Sequence, residues 1–402
     1  MTTPFTGANF ILSFHIFRFM PVHFTDELVN SCTGTPPFGC RYCDRGAKMV
    51  LYITGICRQE CFYCPLSEKK KGKDVIYANE RLVEGRSRID QIIGEAKKMR
   101  ALGTGITGGD PMVVPDRTIE TIIRLKEMFG KNHHIHLYTT GPFDPDLLDR
   151  VKEVGLDEIR FHPPIHTWSM FRFLGNGAEG GDGEPARPYH DLIMKAVETG
   201  LVTGLEIPAV IDEKDMEGKN SAGLFDLVDY AVRQGLSFVN INELEASHTN
   251  MGIFREKGYE LVGDSMAVKG SRELALSVIS EMRERYPDTS TVLHLCTSVY
   301  KDSVQLRNRL KRMARNLKRP FEVVTDDGTF LRGVIESDNM EDLMYILRNV
   351  HDVPDELMEL EGSRLLIAPW VLEELSEELE GVKYISEVYP TWDGLEVERI
   401  PL

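Results

Sequence analysis

Residues 48–64 read KMVLYITGICRQECFYC. The mostly apolar run Lys48–Thr54 reads as a buried strand. Just beyond it Cys57, Cys61 and Cys64 form a CxxxCxxC loop. Three thiolates in one tight loop suit an iron–sulfur cluster or zinc. Three ligands on a four-site centre leave one position open, as a reactive centre requires. A structural zinc loop that borrows a fourth ligand is the local alternative.

Downstream, strands and helices alternate. Helical patterns at 89–102, 118–129, 144–154, 189–199, 222–234 and 272–285 separate strand-like runs at 104–107, 134–139, 158–162, 202–207, 238–241 and 291–296. Strands spaced by helices of 10–15 residues indicate parallel βαβ units. The expected fold is α/β, a partial (β/α)6 TIM-like barrel with an N-terminal cysteine knuckle and a C-terminal α+β accessory domain. The expected divisions are 1–46 for the knuckle extension, 47–300 for the barrel, 301–319 for a basic linking helix and 320–402 for the accessory domain. In the last, Phe321–Thr325 and Thr329–Ile335 flank Asp326-Asp327-Gly328, a hairpin signal. The Gly- and Pro-rich stretch Asn176–Pro188 reads either as an active-site flap or as a solvated insertion.

The whole composition agrees with a folded enzyme-sized chain. Of 402 residues 42% are hydrophobic and 27% charged, which excludes collagen-like and disordered classes. Net charge is −16, against non-specific nucleic-acid binding by the molecule as a whole. No apolar run reaches the roughly 20 residues that span a bilayer. The most apolar stretch, Asn9–Met20, contains His15 and Arg18 and lacks a basic preceding region. It reads as a packing element, or as an extension ahead of a start at Met20, and not as a signal peptide. No membrane partner and a cytoplasmic location are expected.

Six of the seven cysteines lie within 33 residues. Besides the loop, Cys32, Cys40 and Cys43 form a second group, in which Cys40-Arg-Tyr-Cys43 reads as a thiolate knuckle around a tight turn. Zinc or a second, auxiliary iron–sulfur cluster suits it; free thiols are the plain alternative. The intervening strand holds the knuckle about 20 Å from the Cys57 loop. Cys296 then lies at the far end from the knuckle and reads as a buried thiol. Arg307–Arg319 carries seven positive charges and no negative one, with an apolar stripe at Leu306, Leu310, Met313 and Leu317. It reads as a linking helix paired with acidic neighbours, or as a binding face for RNA phosphates. Arg160 and His162 share a strand face near the expected ligand rim, and His134 and His136 share another.

Cys57, Cys61 and Cys64, with Tyr63 before the last cysteine, resemble the signature of the radical S-adenosylmethionine (SAM) superfamily. Gly108-Gly109-Asp110-Pro111, after the second strand, resembles that superfamily's Gly-Gly-Glu-Pro motif, with Asp in place of Glu. The order of motifs over roughly 45–300 resembles the pyruvate formate-lyase activating enzyme-like branch and archaeal radical SAM proteins of unassigned role. The resemblance implies a [4Fe–4S] cluster held by the three cysteines, with SAM on the fourth iron. It also implies reductive cleavage to a 5′-deoxyadenosyl radical, and an electron donor such as ferredoxin or flavodoxin. It places Tyr63, Gly108, Gly109, Asp110, Pro111 and Thr140 near SAM, with Glu206 and Asn242 toward ribose or adenine. An RNA, protein or small-molecule substrate stays open. The different-class alternative is a non-catalytic, metal-stabilised binding protein.

Overall fold

A computed structural model describes residues 32–174, 186–211 and 222–402. These fall into two compact units. The first takes residues up to 42, 48–93 and 102–304; the second takes 43–47, 94–101 and 305–402.

The first unit is built on one sheet. Its strands are β1 (Lys48–Tyr52), β2 (Ile76–Ala78), β3 (Arg81–Val83), β4 (Gly103–Thr107), β5 (His134–Thr139), β6 (Glu158–Phe161), β7 (Val202–Pro208), β8 (Phe238–Asn242) and β9 (Val292–Cys296). The spatial order is β3-β2-β1-β4-β5-β6-β7-β8-β9. β1 and β4 to β9 run parallel in chain order, the arrangement of a partial barrel. The strand-and-helix alternation therefore gave the right class. The β2–β3 hairpin pairs antiparallel to the outer edge of β1. At the opposite edge Thr33 donates to Leu293 O at 3.0 Å and Cys32 bridges to His294. The two outermost strands of the parallel core, β1 and β9, are thus each partnered on their outer side.

Local chemistry sets the crossovers. Pro115–Phe129 begins with proline at its first turn, where the missing N–H costs nothing. It buries Ile119, Ile122 and Leu125 at a spacing of three. It ends at Gly130, whose φ of 82° suits glycine. The strands show a sharper division. Ile135, Leu137, Ile159, Phe161, Val239, Ile241, Leu293 and Leu295 make one face apolar and fully buried. The alternating positions carry His134, His136, Tyr138, Glu158, Arg160, Glu206, Asn240, Asn242 and His294. These form one connected polar layer on the inner face.

The N-terminal helix Phe38–Asp44 reaches this layer. Phe38 and Tyr42 pack their rings 5.8 and 6.0 Å from His134. A Cβ on Gly39 would meet Arg160 Nη2 and His136 Nδ1, each at 2.5 Å, so only glycine fits there. Arg160 is 1% exposed and pairs with Glu158 and, at 2.8 Å, with Glu206. Burial opposes its charge, but Cys40, Glu158, Tyr138 and Glu206 outweigh that and raise its pKa.

The second unit has a six-stranded antiparallel sheet. β10 (Val323–Val324) and β11 (Phe330–Glu336) form the expected hairpin. β12 (Met358–Glu361), β13 (Arg364–Ile367), β14 (Val382–Val388) and β15 (Glu396–Pro401) complete it in the order β12-β13-β11-β14-β15. Helices Met340–Asn349 and Pro369–Leu375 pack Leu343, Leu347 and Leu372 on Ile335, Leu365, Ile367 and Ile385. The basic helix Arg307–Leu317 belongs to this unit and buries Leu310, Met313 and Ala314. Among the described residues no helix is long and apolar enough to cross a membrane.

Candidate active site

The CxxxCxxC loop is gripped on two sides by backbone. Ile53 N donates to Thr107 O at 2.9 Å, continuing the β1–β4 ladder. Gly109 N then donates to Thr54 O and Asp110 N to Ile56 O, both at 2.8 Å. A Cβ on Gly109 would meet Ile56 O at 2.5 Å and Gly55 O at 2.7 Å. Gly108 is equally tight against the Thr54 carbonyl, so the close approach of the cysteine loop requires both glycines. On the other side Gly55 N donates to Lys73 O at 2.8 Å and Gly72 N to Gly55 O at 2.9 Å. Within the loop Cys64 N donates to Cys61 O at 3.1 Å and Gln59 N to Cys57 Sγ at 3.3 Å. All three thiols are free and half-buried.

Asp110 is buried, and donors surround its carboxylate. Oδ1 accepts from Met112 N (2.9 Å) and Thr139 Oγ1 (3.0 Å). Oδ2 accepts from Thr140 N (3.2 Å) and Thr140 Oγ1 (2.7 Å). The short Asp arm thus straps the turn after β4 to the end of β5. Four protein donors occupy the acceptor sites of this carboxylate. Thr140 Oγ1 also lies 3.7 Å from Cys57 Sγ. Burial pushes the Cys57 thiol up, against the pull of Gln59 N–H and the Thr140 hydroxyl. Burial likewise raises Cys61, with Tyr63 acting to lower it.

Behind the loop a relay of polar groups enters the barrel. Tyr63 Oη lies 3.0 Å from His162 Nε2, and His162 Nδ1 lies 2.8 Å from Glu206 O. Burial lowers the His162 pKa, so the ring is neutral near pH 7. Glu206 accepts from Asn242 (2.7 Å), Asn240 (2.8 Å) and Arg160 (2.8 Å). Burial would raise its pKa, yet these partners bring it below the ordinary value. Glu206 and Asn242 are thus joined to each other. Sequence reading placed Arg160 at the rim, but it lies in the buried layer.

Several neighbours carried no motif. The Tyr52 hydroxyl ends β1 buried, without a hydrogen-bond partner among the described residues, within electrostatic reach of Cys64 and Cys57. Gln59 Nε2 donates to Tyr189 Oη at 3.2 Å. Asn250 Nδ2 donates to Tyr63 O at 3.2 Å, steadying the loop from beyond β8. Tyr52 was legible only as the inward position two residues from Val50. Tyr189 and Asn250 were not legible at all.

The second cysteine group corrects the expectation of a knuckle. Cys40 and Cys43 lie on a helix, not around a tight turn. Cys32 donates to Gly34 O at 2.9 Å. Cys40 Sγ accepts from Asn240 Nδ2 at 3.2 Å and Arg160 Nη2 at 3.5 Å, and burial pushes its pKa up to about 11. Cys43 Sγ donates to Gln305 Oε1 at 3.0 Å. Among the described residues no three Cys, His, Asp or Glu close on one point to hold an ion. The same holds for Cys57, Cys61 and Cys64; what sets this group apart is that Cys32, Cys40 and Cys43 each bond a different protein partner. Cys296 is buried, as a thiol core position should be.

Three bases of Arg307–Leu317 have partners inside the second unit. Arg312 donates to the carbonyls of Met99 (2.8 Å) and Arg100 (2.7 Å). Arg307 bonds Asp326 O at 2.8 Å, and Lys311 faces Asp326 at 3.7 Å. These contacts fit the linking-helix reading, while Arg315 and Lys318 stay exposed. The stretch Asn176–Pro188 falls mostly on 175–185, outside the described residues, as does Asn9–Met20.

Three comparisons bear on the identity. The radical SAM superfamily matches residues 51–215, which hold both motifs. A Methanocaldococcus jannaschii protein, provisionally named a glycyl-radical enzyme activating enzyme, is 40% identical over 380 residues, 91% of this chain and 92% of its own. The chain belongs to the radical SAM superfamily. It is an enzyme by that membership, and the superfamily implies SAM and a [4Fe–4S] cluster. A domain of unknown function, DUF8061, matches residues 328–402. Among solved structures, a radical SAM methyltransferase of Kitasatospora setae with tryptophan and a SAM analogue is 16% identical. It has a TM-score of 0.35, covering 54% of this chain and 39% of its own. A spore photoproduct lyase complexed with dinucleoside spore photoproduct is 15% identical. Its TM-score is 0.40, over 66% of this chain and 87% of its own.

Proposed function

We propose that this radical SAM enzyme binds a [4Fe–4S] cluster through Cys57, Cys61 and Cys64 and places a glycyl radical on a protein partner. The cysteine loop carries the reading: three free, half-buried thiols on a backbone pinned from two sides. The donor set fits a cluster, because thiolates are the usual cluster ligands and the three leave a site for SAM. When bound, cluster and SAM supply one-electron cleavage to methionine and a 5′-deoxyadenosyl radical, which removes a hydrogen atom from substrate.

The chain's own residues supply position and dryness. Gly108, Gly109 and Pro111 hold the β4 turn against the loop, beside the methionine end of SAM. Asp110 acts on SAM indirectly, by fixing Thr140 and the end of β5. Tyr63 lines the site, with its hydroxyl held by neutral His162. Glu206 and Asn242 form the polar wall toward the adenosine end. The protein substrate comes from the name of the 40% identical relative. A low-potential donor such as ferredoxin or flavodoxin supplies the electron.

The test is anaerobic reconstitution with iron and sulfide, then reduction with SAM. The wild type forms 5′-deoxyadenosine and Cys57→Ala/Cys61→Ala/Cys64→Ala forms none. Addition of a glycyl-radical partner gives a glycyl doublet in electron paramagnetic resonance (EPR) and faster deoxyadenosine release. A cluster-loaded wild type that leaves SAM intact, alone and with partner, contradicts the reading.

A further inference from the structure

We propose that Thr140 is a positioning residue that sets the electron affinity of the cysteine-loop centre, its hydroxyl donating to the Cys57 thiolate while Asp110 holds it in place. This rests on the cluster assignment above. The juxtaposition spans three elements: Cys57 after β1, Asp110 after β4 and Thr140 after β5. Thr140 Oγ1 stands 3.7 Å from Cys57 Sγ and 2.7 Å from Asp110 Oδ2.

A hydroxyl has one proton and two lone pairs. While Cys57 is a thiol, its S–H points to Thr140 Oγ1 and the hydroxyl proton goes to Asp110. As a cluster ligand Cys57 is a thiolate and can only accept. The Thr140 proton then turns to sulfur. Asp110 does not lose its hold, because Thr140 N, Thr139 Oγ1 and Met112 N still donate to it. The N–H of Thr140 fixes the residue while its hydroxyl rotates.

Hydrogen bonds to cluster sulfurs are one of the levers on cluster potential. A donor draws electron density from the thiolate and favours the reduced centre. The short Asp arm has a function on this view. It closes on both Thr139 and Thr140 and so aims the hydroxyl at Cys57, joining the second motif to the first through β5.

The test compares wild type, Thr140→Val and Thr140→Ser after reconstitution, by EPR-monitored redox titration. Valine keeps the shape and removes the donor; serine keeps the donor. The midpoint potential is expected to fall in the valine variant and return to the wild-type value in the serine variant. An unchanged or higher potential in valine, or serine behaving as valine, overturns the proposal. Should valine fail to load iron, Thr140→Ala is titrated in its place: a potential below that of wild type and serine is expected, and one equal to them overturns the proposal. A wild type that neither loads a [4Fe–4S] cluster nor cleaves SAM breaks the functional reading instead. A competent wild type whose potential ignores Thr140 breaks only this inference.

Discussion

Cys61-Phe-Tyr-Cys64 and Cys40-Arg-Tyr-Cys43 have the same spacing and the same tyrosine before the last cysteine. The first lies in a loop pinned by Gly109, Asp110 and the 70–73 turn, with its thiols half-buried. The second lies on the helix Phe38–Asp44, where Cys40 is 6% exposed and accepts from Asn240 and Arg160. Identical spacing therefore does two different jobs. One spacing thus sits on two backbones, a pinned loop and a helix, with different partners for its sulfurs.

Variants can break this comparison. The largest difference is expected between the triads. Cys57→Ala, Cys61→Ala or Cys64→Ala should each abolish cluster loading and SAM cleavage with the circular dichroism spectrum retained. Cys40→Ser and Cys43→Ser should leave iron content per protein unchanged, measured under the same reconstitution. Cys40→Ala should instead show in the melting curve. It leaves Asn240 and Arg160 donors without their sulfur, a cost of about 1–3 kcal/mol.

The two glycines extend the contrast. Gly109→Ala brings a Cβ to 2.5 Å from the Ile56 carbonyl, so the cysteine loop must shift. Iron retention should fall several-fold with little change in melting temperature. Gly39→Ala meets Arg160 and His136 in the buried layer instead, and should destabilise by about 1–3 kcal/mol with iron content intact.

A smaller effect is expected from pH. Burial lowers the pKa of His136 and His162, and that of His294 to about 4. These rings are neutral when folded, and protonation favours the unfolded chain. The His294 contribution is present above about 6.5 and is lost as pH falls toward about 4, at up to about 1.4 kcal/mol per pH unit, and His136 and His162 act in the same direction. Urea melts between pH 7 and 4 should show this slope, and His294→Asn should flatten it. A slope unchanged by His294→Asn would contradict the neutral buried ring.

The parallel core was legible because seven strands and their helices each exceed the length at which periodicity speaks. The shared face of His134 and His136 was also visible, although the buried ion pairs beside it were not. The β2–β3 hairpin was missed because three-residue strands carry no alternation. β15 was missed because Glu396, Glu398 and Arg399 read as an exposed tail. In the site, cysteines and glycines have spacing that chemistry recognises. Tyr189 and Asn250 enter through folding alone, since each lies far along the chain from the loop it faces.

The account's central claim is that the Cys57 loop, and not the N-terminal trio, is the reactive centre. The most direct measurement quantifies iron, sulfide and 5′-deoxyadenosine for wild type, for the Cys57→Ala/Cys61→Ala/Cys64→Ala variant and for a Cys32→Ser/Cys40→Ser/Cys43→Ser variant. The account predicts cluster and product in the first and third and neither in the second. Loss of cluster and product from a folded third variant, or their persistence in the second, would contradict it.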